Sequence, residues 1–137
     1  MKTTIKWLKA SYIAGTIADG IIVILMMIPS RMGETEFRYS MGLAAALMLG
    51  WTLLLVWGNR KPMERKGILL ITIFPVITGL IATGIWAYAS GIFTLQKTIP
   101  MVILGMAIAL LMGFSYLKAR NAENESARHH GQPTQKQ

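Results

Sequence analysis

Four apolar runs decide what this chain can become. Residues 8–28, 39–57, 68–89 and 98–117 are each about 20 residues long, and beyond Lys9 at the first boundary only Asp19 places a charge inside them. At ~1.5 Å of rise per residue, a run of that length matches a hydrocarbon core of ~30 Å. The runs are apolar all round rather than alternating, so they read as helices and not as barrel strands. The expectation is an all-α integral membrane four-helix bundle over residues 1–119. A tail at 120–137, rich in Asn, Glu, Ser and Gln and without apolar periodicity, reads as disordered and cytoplasmic.

Composition agrees. With 53% apolar and 15% charged side chains, the chain has too little polar surface to coat a soluble globule. The first run follows Lys2, Lys6 and Lys9 as a secretory signal would. It is long, however, and ends in Ile28-Pro29-Ser30-Arg31 without a small-x-small cleavage site, so it reads as a retained helix. The chain has no cysteine, which excludes disulfides and thiolate chemistry.

The net charge of +8 is segregated. Eleven of the 14 lysines and arginines fall in the N-terminal segment, the loop between the second and third runs, and the tail. Four spans place those three regions on one side, and the positive-inside rule makes that side the cytoplasm. Trp7, Trp57 and Tyr116 then lie at the inner boundary and Tyr39, Trp86 and Tyr88 at the outer one, while Trp51 lies deeper. The expected location is a cell membrane, multi-pass, of a prokaryote. Arg60, Lys61, Arg65 and Lys66 could contact anionic lipid head groups, or could serve only to fix topology. Nucleic acid is not an expected partner, because no basic stretch is interleaved with aromatic stacking residues. His129 and His130 in the tail read as a solvated pair, and Glu34 and Glu36 as charges suited to the start of the second helix.

Residues 42–54 and 105–117 share both glycines, two alanines, an aromatic and a hydroxyl residue, which suggests two related helical hairpins. Gly42, Ala46 and Gly50 fall on one helix face, as do Gly105, Ala109 and Gly113. Small residues four apart let helix backbones approach closely, within one chain, in a homo-oligomer, or against a membrane partner protein. Pro75 cannot donate to the carbonyl of Ile71 and should bend the third helix, making it a hinge candidate, with Thr72 and Thr78 available to the freed backbone groups.

Asp19 is the residue that invites a mechanism. It lies near the bilayer midplane, where an Asp costs roughly 2.5 to 3.5 kcal/mol to insert. Ser11, Tyr12, Gly15 and Thr16 share its face of the helix. No lysine, arginine or histidine lies at its depth. A carboxyl that gains charge only when a proton leaves or a cation arrives has the logic of a proton-coupled or cation-binding site. The structural alternative is a neutral Asp hydrogen-bonded to Thr78 or Thr52. Asp19, Thr16, Tyr12, Thr52 and Thr78 are therefore the candidate binding residues. Four spans, a short chain and one carboxylate in the first span resemble, in architecture, the small multidrug resistance transporters. Those proteins carry Glu where this chain has Asp19, and their other motifs do not align with the loop from Trp57 to Lys66.

Two functions follow as expectations: a proton- or cation-coupled small transporter or binding protein centred on Asp19, or a non-catalytic membrane subunit or assembly protein that packs through its glycine faces. No paired carboxylates, nucleophile with a base, or metal-ligand cluster occurs in the spans, so neither an enzyme nor a cofactor is expected.

Overall fold

A computed structural model describes residues 2–28 and 35–130, and these form four helices: α1 (Lys2–Met27), α2 (Thr35–Arg60), α3 (Gly67–Ala89) and α4 (Leu95–His130). Each is long and apolar enough to cross a membrane. The four runs of the sequence fall inside them except for Ile28, which follows the end of α1. Glu34 lies outside the described residues.

The buried positions of α1 are Thr4, Leu8, Ser11, Tyr12, Gly15, Asp19 and Val23. Their spacing of three or four residues is a single stripe, and the large apolar residues between them, Ile13, Ile17, Ile21 and Ile24, point outward and are exposed. That stripe makes α1 the spine of the bundle, packed along both α2 and α4, while α3 packs against α4. The core concentrates at the end of the bundle that carries the loop 61–66, where Leu8, Tyr12, Leu55, Leu69, Met112 and Ala119 have no exposed surface. Gly15 is needed there: a Cβ on it would lie 2.5 Å from Cε of Met112 and 3.2 Å from Cδ1 of Leu55.

Two helix features have local causes. α3 widens into a π-helical turn over Thr72–Ile77, with Pro75 inside it. The sequence anticipates a bend at this proline, and the wider turn is how the missing N–H donor is accommodated. The N–H and the hydroxyl of Thr78 both donate to the Ile73 carbonyl, and the Thr72 hydroxyl donates to the Ile68 carbonyl. α3 ends where Gly91 adopts φ +73°, with the N–H of Ile92 donating to Ala87 O and that of Gly91 to Tyr88 O. This pairing satisfies the last carbonyls and turns the chain back.

Where the sequence reads as a disordered tail from residue 120, α4 continues without a break past Arg120 to His130. Ala119, Ala122 and Ala127 favour helix, Lys66 forms an ion pair with Glu123 that ties the extension to the loop 61–66, and Ser126 donates to the Ala122 carbonyl. Residues 131–137 lie outside the described residues, and nothing is described of the side chains of His129 and His130.

The segments that resemble each other in sequence meet different surroundings. On α4, a Cβ on Gly105 would lie 3.1 Å from Ile81, and one on Gly113 would lie 3.9 Å from Ile73, so this face packs on α3. On α2, Gly42, Ala46 and Gly50 are all exposed, and among the described residues nothing lies within 4 Å of a Cβ added to either glycine.

Candidate functional site

Asp19 sits on the buried stripe of α1 and is 8% exposed. Gly15, one turn earlier, keeps the stripe narrow enough for Met112 of α4 to approach, and a cavity of about 70 Å³ opens beside the carboxyl. Gly15 and Ile22 of α1, Thr72 and Ile77 at the two ends of the π-turn, and Gly105 and Met112 of α4 are among the residues that line it. The lining is almost wholly apolar. Oδ2 of Asp19 is buried and has no hydrogen-bond partner among the described residues. Such an unmatched oxygen costs about 1–3 kcal/mol, and more if charged. Among the described residues, no lysine, arginine or histidine lines the cavity.

Among the described residues, Thr72 supplies the one hydroxyl of the lining, and it is already committed. Thr72 Oγ1 donates to the Ile68 carbonyl at 2.8 Å and accepts from Trp51 Nε1 at 3.3 Å. That second bond ties α2 to the start of the π-turn, so Trp51 packs inside as its depth in the sequence suggests.

The residues expected beside Asp19 are dispersed. The Tyr12 hydroxyl donates to the Arg65 carbonyl at 2.6 Å, two turns away in the core at the loop end. Thr16 is half-buried and does not line the cavity. The two hydroxyls offered as structural partners bond elsewhere: Thr52 donates to the Met48 carbonyl at 2.8 Å, and Thr78, which is exposed, donates to the Ile73 carbonyl at 2.9 Å. Neither holds the carboxyl. Pro75 lies within the π-turn whose ends, Thr72 and Ile77, reach the cavity. The sequence reading misses Met112, Ile77 and Gly105 as lining residues, and gives Thr72 only a backbone role. No local motif marks them, because they are brought together by the rotation of α3 and α4.

The basic loop is largely engaged within the chain. Arg65 lies 3.3 Å from the centroid of the Trp57 ring and donates to the Trp57 carbonyl at 2.5 Å. Lys61 pairs with Glu64 at 3.1 Å, and Lys66 pairs with Glu123. Arg60 has no ion pair among the described residues.

Among the described residues there is no group of three or more His, Asp or Glu side chains able to hold a metal ion. No family model, curated protein or solved structure matches the chain. The likeness in outline to the small multidrug resistance transporters therefore carries no argument beyond the residues themselves.

Proposed function

We propose that the protein is a small proton- or cation-coupled transporter or binding protein in which Asp19 is the exchanging group. The observation that carries this reading is the unmatched Oδ2 of Asp19 beside a cavity. A bound proton or cation would offset the cost of that oxygen, and ionisable side chains that face the interior or a cavity within a span mark such pathways. The donor set favours the proton over a bare metal ion. Hard cations take about six or more oxygen ligands, whereas the side chains of the described lining residues offer one carboxyl and one committed hydroxyl. The cavity of about 70 Å³ is also far below the ~300–1,000 Å³ of sites for drug-sized ligands, so this state has room only for a few waters or a very small solute. The distribution of basic residues supports an orientation with both ends of the chain on the cytoplasmic side of its membrane, which the proposal takes to be a prokaryotic plasma membrane.

Proton uptake by liposomes containing the purified protein, driven by a potassium diffusion potential, tests the reading. Uptake should disappear in Asp19→Asn while the variant remains folded by circular dichroism. Equal uptake by both proteins, or none by either, removes the basis for the proposal.

The exposed Gly42, Ala46 and Gly50 face of α2 favours a second reading, that of a non-catalytic membrane subunit or assembly protein. Purification in mild detergent distinguishes it: the second reading requires a companion chain that Gly50→Leu releases, and a chain recovered alone argues against it.

A further inference from the structure

We infer that a groove between the start of α1 and the extension of α4 binds the head group of an aminophospholipid such as phosphatidylethanolamine. The groove has a volume of about 500 Å³ and is lined by Thr4 of α1 and by Phe114, Leu117, Lys118, Asn121, Ala122 and Glu125 of α4. That is enough room for a head group and its glycerol link. It lies at the end of the hydrophobic span, where α4 passes from the apolar residues before Lys118 to the polar ones after it.

The order of chemistry along α4 selects the occupant. Phe114 and Leu117 are exposed apolar side chains at the membrane end of the groove, suited to the first methylenes of an acyl chain. Lys118 comes next. Its Nζ sits 5.7 Å from the ring centroids of both Trp7 and Phe114, which face each other edge to face at 5.4 Å, so the ammonium is held at the rim of an aromatic pair. It has no ion pair among the described residues, unlike Lys61 and Lys66 of the loop. A phosphate at this level finds an available cation. One turn further out Asn121 offers a donor and an acceptor, and a second turn brings the Glu125 carboxylate, also without an ion pair among the described residues.

Tail, phosphate and amine of a phospholipid are met in sequence by apolar surface, cation and anion. A purely anionic head group would gain at Lys118 and be repelled at Glu125. A choline has no N–H to give to Asn121 or Glu125. The primary ammonium of an aminophospholipid satisfies both.

The test uses the full chain in nanodiscs with equal parts of phosphatidylcholine, phosphatidylethanolamine and phosphatidylglycerol, with the lipids retained on release read by native mass spectrometry. Phosphatidylethanolamine should be retained above its one-third share. The amount of it retained per protein molecule should fall about fivefold in Lys118→Gln and in Glu125→Gln, the loss expected for one charge contact near the membrane surface. Lys118→Arg, which keeps the charge, should hold it. Retention that mirrors the bilayer composition overturns the inference, as does a preference for phosphatidylglycerol or a phosphatidylethanolamine preference indifferent to Glu125→Gln.

Discussion

Replacing Asp19 by Leu should make the protein more stable while abolishing proton uptake. The two side chains have the same number of heavy atoms and nearly the same branching, so the substitution exchanges two oxygens for two methyl groups beside a cavity lined almost entirely by carbon. In the native chain Oδ2 has no partner among the described residues, a penalty of about 1–3 kcal/mol that leucine does not incur. The methyl groups also gain dispersion contacts with neighbours such as Met112 and Ile77. Taking about 2 kcal/mol as the gain, and about 4 °C per kcal/mol for a chain of this size, Tm should rise by about 8 °C. The assay is thermal unfolding in one mild detergent, followed by the near-ultraviolet signal of the tryptophans, for the parent, Asp19→Asn and Asp19→Leu. Asparagine keeps polar atoms in the same place and should change Tm little. The reasoning is refuted if leucine lowers Tm, because a carboxyl whose loss destabilises the bundle is holding it together. Stability gained and uptake lost in one substitution identifies a group kept for activity at the expense of the fold.

Three further outcomes follow from the packing. Ser115→Ala removes one acceptor of Ser11, to which it lies at 2.7 Å, and its own bond to the Trp7 carbonyl, leaving Ser11 its 3.3 Å bond to the Leu111 carbonyl, and should cost about 0.6 to 1.7 kcal/mol in detergent unfolding. Gly58→Leu and Gly50→Leu should separate sharply: a Cβ at Gly58 would lie 2.6 Å from the Tyr12 ring, whereas Gly50 is open, so only the first should prevent recovery of a folded monomer from a size-exclusion column. Glu123→Gln breaks the pair with Lys66, whose partners are partly solvent-exposed, and should lower stability by under about 1 kcal/mol, with the difference vanishing in high salt.

The four spans are legible in the sequence because lipid makes a single demand, about 20 residues without charge, that each helix meets on its own. The burial of Asp19 is legible for the same reason. Its neighbours are not. Matching by depth pairs Asp19 with Thr52 and Thr78, but each of those hydroxyls finds a carbonyl four or five residues back in its own helix, a local competitor that depth does not reveal. Which faces of α3 and α4 reach the cavity depends on helix rotation, and the π-turn at Thr72–Ile77 resets that rotation partway along α3. Pro75 announces a disturbance without specifying its form. The extension of α4 is hidden by the opposite weakness: a polar segment shows no apolar period, and its helix rests on alanine content and a tie to Lys66 that only the fold brings near.

The uninterrupted course of α4 makes it a lever. The stretch beside Asp19, around Gly105, and the end at His130 belong to one rod, with about 37 Å between them at ~1.5 Å per residue. A tilt of only about 10° about a fulcrum at Gly105 would swing the far end through roughly 6 Å, so a sub-ångström repacking at the cavity wall becomes a displacement that a neighbouring molecule at the membrane face could register.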